Sequence, residues 1–274
     1  MIIYWLFSLL YNKNMLEDNV VYWAKFHNEG FFGFSTTRNF KMGSLAHIIP
    51  ILLMLITIFV IYKYRNKIKE NPKLDNNIVS TLTIIMIFAE LSYWWRIIYV
   101  GPESETAHGL LFKLPIQVCQ WTLLITVCAM ITKSKNLIGT SFFLTSIPTL
   151  LAIGAPIVLY NTGPSYFRYY QFWLEHLIPV ISVYYMLIVH RYKIEFKHII
   201  SALSVLSVLF FIACKANKLI DSKYSFRYLY MNYMRKIPFL ASTSDFQLYI
   251  VCVLTFFLGF YIIYRIYKYI INKK

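Results

Sequence analysis

Apolar residues in this chain come in long, nearly unbroken blocks separated by short polar stretches rich in lysine and arginine. Seven blocks, at about 45–62, 78–99, 114–131, 137–159, 172–189, 199–214 and 246–267, approach membrane-spanning length. A helix rising about 1.5 Å per residue needs roughly 20 of them to cross a hydrocarbon core about 30 Å thick. The pattern predicts an all-α polytopic membrane protein with seven transmembrane helices. The sixth block is the shortest, its end blurred by Lys215 and Lys218. Residues 1–11 form an eighth apolar, aromatic patch that is too short to span and lacks the positive flank and small-residue cleavage site of a signal peptide. They are expected to form a short interfacial helix within an N-terminal segment, 1–44, ahead of a seven-helix domain at 45–274.

Positive charge sets the expected orientation. The stretch 63–77 carries Lys63, Arg65, Lys67, Lys69 and Lys73, 132–136 carries Lys133 and Lys135, and 190–198 carries Arg191, Lys193 and Lys197. The alternate connections are poorer in it: 100–113 holds Glu103 and Glu105 with Lys113, and 160–171 holds Arg168 alone. An N-terminus outside and a C-terminus in the cytoplasm fit this alternation. The basic stretch 215–245 runs against it and is read as a long translocated segment, which obeys the rule weakly, facing lipid phosphates or an anionic substrate.

Composition narrows the class. The chain has 274 residues, of which 58% are hydrophobic and 14% charged, against about 45–50% and about 25% in soluble domains. A soluble globule, a nucleic-acid-binding domain and a disordered tail are excluded. The formal charge of +15 belongs to the ends of apolar blocks, so no nucleic-acid partner is expected. Aromatic clusters at block ends, such as Tyr93-Trp94-Trp95, fit an interfacial belt. Cys119, Cys128, Cys214 and Cys252 lie in or beside the blocks and offer no disulfide framework.

An ionisable group inside a span costs on the order of 2.5–3.5 kcal/mol on the lenient insertion scale, which makes each one a functional candidate. Glu90 lies inside the second block, Arg96 nearer its end, His47 opens the first, Glu175 and His176 lie a turn inside the fifth, and Asn217 and Asp221 follow the sixth. Cys119 is expected a turn inside the third, after a helix start at Leu114-Pro115. With the orientation above, all of these fall in the outer half of the bilayer, and nothing comparable is expected in the inner half. His190 and His198 read as solvated flankers, and His108 is undecided.

A thiol becomes a competent nucleophile when a base within hydrogen-bond reach, itself oriented by a third group, takes its proton. Cys119, His176 and Glu90 supply these types at similar depth and suit acyl transfer through a thioester, in a water-poor setting that favours transfer over hydrolysis. The donor would be membrane phospholipid, the acceptor a lysolipid or a lipoprotein, with no cofactor and no metal. His47, Arg96, Gln117, Glu175, Asn217 and Asp221 are the expected substrate-binding residues.

The same residues carry a family resemblance. Phe34-Ser35 and His47, the stretch Glu90 to Arg96, Leu114-Pro115-Ile116-Gln117-Val118-Cys119, Gln171-Phe172-Trp173-Leu174-Glu175-His176, and Asn217 before Lys223-Tyr224 stand in an order and spacing similar to the YwaF-like integral membrane proteins. Those bacterial multipass proteins are related to a human membrane acyltransferase of ether phospholipids, and the resemblance covers about residues 34–260. It implies that Cys119 is the nucleophile and that the chain sits in a bacterial plasma membrane. Two departures stand out. Gln117 occupies the place of a histidine in the usual Leu-Pro-Leu-His-x-Cys pattern, and Lys223-Tyr224 replaces a common Asn-Tyr. Two residues along a helix turn about 200°, so the missing histidine would not face the thiol.

Other functions would use the same residues. A seven-helix metal-dependent lipid hydrolase could ligate a metal through His47, His108 and His176, though no HxxxH or HxxE pair supports it. A transporter or substrate-binding membrane subunit could use Glu90 and Arg96 as a charge relay; Pro148, Gly154 and Pro156 interrupt the fourth block without a matching half elsewhere. In a purely structural membrane protein the buried polar set would only join helices.

Overall fold

The computed structural model describes residues 40–100, 114–156, 159, 163–164, 167–219, 228–235, 237–238 and 240–272. The expected interfacial helix at 1–11 lies outside them, as do His108 and Asp221. Among the described residues there is no strand. The helices are α1 (Leu45–Glu70), α2 (Pro72–Val100), α3 (Val118–Thr132), α4 (Lys135–Gly154), α5 (Phe167–Val189), α6 (Lys197–Leu219), the short α7 (Met231–Met234) and α8 (Asp245–Asn272). Six of them are long and apolar enough to cross a membrane. The exceptions are α7, with four residues, and α3, whose 15 residues reach only about 22 Å.

Helix ends explain where the sequence reading shifts. The basic stretch expected as a loop at 63–77 is helical: α1 continues through its lysines to Glu70, Asn71 alone breaks it, and α2 starts at Pro72. Lysine is a good helix former, so the helix outruns the apolar block. Asn71 Oδ1 accepts from the Leu74 N–H at 3.0 Å, and proline suits the first helical position. Lys133, in the left-handed region at φ 52°, ends α3, and Ser134 caps α4 by accepting from the Leu137 N–H. A reciprocal pair, Ser244 N–H to Gln247 Oε1 at 2.9 Å and Gln247 N–H to Ser244 Oγ at 3.2 Å, starts α8. The third helix corrects the expected start: Leu114 to Gln117 stay non-helical and α3 opens at Val118.

Helix α4 is interrupted, as Pro148 foretells. Residues Thr145–Thr149 form a π-turn, after which the helix resumes to Gly154. A proline cannot donate the bond a regular helix needs, and a widened turn absorbs the loss.

The centre of the bundle is α5, which packs against α1, α2, α3 and α4. Its buried face runs from Arg168 to Val189. Helix α6 packs against α4 and α8. The approach of α6 to α4 is so close at Gly139 that a Cβ there would lie 2.2 Å from His198 Nδ1. His198 is therefore buried between helices, where the sequence suggested a solvated flanker; its Nδ1 accepts from the Glu195 N–H at 3.0 Å. By contrast α1 and α8 expose rows of apolar side chains, among them Leu52, Phe59, Leu254 and Leu258, as lipid-facing helices do.

Candidate functional site

The N-terminal end of α5 is polar although it lies inside the bundle. Arg168, Gln171 and Glu175 occupy one face of two helical turns, since residues four and seven apart in a helix align. Arg168 is 8% exposed, Gln171 1% and Glu175 4%, so each must find partners inside the protein. Arg168 Nη1 lies 3.2 Å from Glu175 Oε2, forming a buried ion pair. Gln171 Nε2 donates to the same oxygen at 2.9 Å and reaches the Ala89 carbonyl of α2 at 3.3 Å. The Arg168 guanidinium also covers the Tyr93 ring at 4.9 Å.

Glu90, on α2 next to Ala89, is 6% exposed. Its Oε1 accepts from Trp94 Nε1 at 2.7 Å and from Gln120 Nε2 of α3 at 3.3 Å. Cys119 stands in the first turn of α3, directly after the non-helical Pro115 to Gln117. Its thiol lies against the Glu175 carboxylate and within electrostatic reach of Arg168 and Glu90. The later start of α3 thus puts the thiol at a helix N-terminus, where the first N–H groups have no acceptor within the helix.

The expected trio is accordingly rearranged. Cys119 and Glu90 share one cluster, but the carboxylate touching the thiol is that of Glu175. His176, next to it, donates from Nδ1 to the Phe172 carbonyl at 2.7 Å and stacks on the Phe172 ring at 4.2 Å. No hydrogen bond links its ring to Cys119 among the described residues. His47 has both ring nitrogens engaged by backbone: Nδ1 accepts from the Gly43 N–H at 3.0 Å, and Nε2 donates to the Ile153 carbonyl at 2.9 Å. It ties the start of α1 to the end of α4.

Gln117 and Asn217 meet at a different place, the turn Tyr228–Tyr230. Asn217 Oδ1 accepts from the Tyr228 N–H at 2.7 Å, its Nδ2 donates to the Tyr228 carbonyl at 3.2 Å, and Gln117 Oε1 accepts from the Leu229 N–H at 3.4 Å. These bonds hold Leu229 at a positive φ of 56°, a conformation that is costly for a residue with a Cβ. Side chains beyond Trp94 in α2, Arg96 among them, lie outside the described residues. Arg168 and Gln171 were not expected as site residues. The sequence signal was the seven-residue spacing from Arg168 to Glu175, hidden by starting the fifth helix at 172.

A second polar cluster occupies the other end of α5, where none was expected. Asp75, in the first turn of α2, accepts from the Tyr185 hydroxyl and from His190 Nε2, the latter at 3.0 Å. His190 is thus half-buried and paired. Among the described residues no group of three or more His, Cys, Asp or Glu side chains is placed to hold a metal.

Residues 39–264 match the sequence model of the TMEM164 family. No curated protein and no solved structure matches the chain.

Proposed function

From the premise that the chain belongs to the TMEM164 family of multipass membrane proteins, we propose that it is a membrane-embedded acyltransferase that carries an acyl chain on Cys119. The observation that carries this reading is the contact between the Cys119 thiol and the buried Glu175 carboxylate, with Arg168 beside both. A thiol, a proton acceptor and a fixed cation in a water-poor site are the parts that thioester chemistry needs. A buried ion pair with nothing to do is no more stabilising than apolar packing.

In the first half-reaction Glu175 takes the thiol proton while the sulfur attacks the ester carbonyl of a phospholipid. Arg168 stabilises the sulfur anion as the proton leaves. The N–H groups of the first turn of α3 face the oxyanion of the tetrahedral intermediate, a role that such donors perform at about 2.7–4 kcal/mol each. The ester C–O bond then breaks, and the departing lysolipid oxygen takes the proton from Glu175. In the second half-reaction an acceptor hydroxyl, of a lysolipid or lipoprotein, attacks the thioester and releases the thiol. On the orientation that the loop charges favour, the site opens to the outer leaflet and meets phospholipid there.

Intact mass spectrometry of the purified protein incubated with phospholipid vesicles tests this. The expected result is a hydroxylamine-labile increment of one acyl chain that persists in Cys128→Ser and is absent from Cys119→Ser. A folded wild-type protein that gains no adduct from any phospholipid would sink covalent catalysis by Cys119.

A further inference from the structure

Three buried polar atoms at the candidate site have no hydrogen-bond partner among the described residues: Glu90 Oε2, Gln171 Oε1 and Arg168 Nε. Their side chains are each more than nine-tenths buried. They belong to one neighbourhood, because Gln171 Nε2 bridges the Ala89 carbonyl, adjacent to Glu90, and the Glu175 oxygen that also binds Arg168. Polar atoms buried without partners are rare in folded proteins, and a bound group is one way to supply the missing bonds. A hydroxyl, which donates once and accepts at its oxygen, can give its proton to one of the two acceptors and take a bond from the donor.

The two carboxylates are not equivalent. Glu175 has one oxygen committed to Arg168 and Gln171 and is in contact with the thiol. Glu90 has Oε1 held by Trp94 and Gln120 from two sides, which fixes the carboxylate plane and leaves Oε2 bare. From this geometry we propose that Glu90 Oε2 is the proton acceptor for the acyl-acceptor hydroxyl, so that Glu175 serves the donor half-reaction and Glu90 the acceptor half-reaction. Arg168 Nε, a donor, bonds the oxygen of the same hydroxyl and positions it.

The inference rests on the thioester reading above. In the step it describes, the acceptor O–H bond breaks with its proton going to Glu90 Oε2. The oxygen forms a bond to the acyl carbon as the carbon–sulfur bond of Cys119 breaks. The released thiolate then recovers the proton from Glu90, which leaves thiol and carboxylate as they began.

The test separates the half-reactions. Wild type, Glu90→Gln, Glu90→Asp and Glu175→Gln are incubated with phosphatidylcholine vesicles, and the Cys119 adduct is followed by intact mass. A fluorescent lysophospholipid is then added and its acylation timed. Glu90→Gln is expected to form the adduct at near the wild-type rate and to discharge it about 100-fold more slowly, the usual range for losing a positioned base. Glu90→Asp is expected to recover part of the discharge rate, and Glu175→Gln to fail at adduct formation. The proposal is overturned if Glu90→Gln slows both steps equally or leaves discharge unchanged. Should Glu90→Gln lose its thermal unfolding transition, Glu90→Asp decides alone: discharge slowed more than adduct formation supports the assignment, and equal slowing overturns it. A wild type that forms no adduct removes the thioester reading itself, a different failure.

Discussion

Helix α5 carries a polar cluster at each end, and the two differ in what they leave over. At the C-terminal end Asp75, Tyr185 and His190 bind one another, and none of their atoms is among the buried ones without a partner. At the N-terminal end Glu90, Gln171 and Arg168 each retain a buried atom without a partner among the described residues. Both clusters cross from α5 to α2, so both join helices. A cluster that joins helices and nothing more closes its bonds, as an incomplete one leaves desolvated groups uncompensated. Under the proposed function the open cluster carries the chemistry and the closed one joins helices.

Single substitutions can break that contrast. The largest effect is expected from Arg168→Met, which leaves the buried Glu175 carboxylate without its cation and should cost about 3–5 kcal/mol. Denaturant unfolding in detergent would measure it, and a second change, Glu175→Leu, should restore most of the loss while leaving no Cys119 adduct. If Arg168→Met alone costs less than about 1 kcal/mol, the two groups are not a desolvated pair. At the opposite end Asp75→Ala strips two donors of their acceptor and is expected to cost about 2–3 kcal/mol. Its adduct formation, read by mass, should match wild type. Tyr185→Phe removes one of those donors and should lower stability by about 1 kcal/mol, again with acylation intact. The smallest structural effect belongs to Cys119→Ser, expected below about 0.5 kcal/mol in the same unfolding assay because the side chain keeps its size and its donor. That change should nevertheless abolish the hydroxylamine-labile adduct. The contrast fails if the closed cluster proves to control acylation.

Most of the helical plan was legible because lipid-facing and core-facing surfaces are both apolar, so block length alone marks the spans. What block length hides is how far a helix runs past its apolar part. The lysines after Tyr62 extend α1 to Glu70, and Arg168 lies inside α5, although hydropathy stops at 172. The second extension matters more. It turns a loop charge into a buried cation two turns from Glu175. Glu90 and Cys119 were findable because an ionisable group or thiol at that depth stands out from its neighbours. Their grouping with Glu175 in place of His176 was not, because adjacent residues point about 100° apart and only the packing of α5 against α3 selects which one faces the thiol. His47, Gln117 and Asn217 were visible as polar residues, yet sequence could not tell a ligand from a brace. Their partners are backbone atoms of a distant helix end or turn, which leave no trace in side-chain pattern.

The π-turn at Thr145–Thr149 sets the phase of the last stretch of α4. Each residue of a regular helix advances the next by about 100°, so the widened turn offsets everything after it by that angle relative to an uninterrupted helix. Downstream lies the Ile153 carbonyl that receives His47 Nε2. Deleting one residue within 145–149 would act less as a shortening than as a twist, swinging that carbonyl out of line with α1. The irregular turn is a built-in angular offset, and the bond between α4 and His47 is aimed by it.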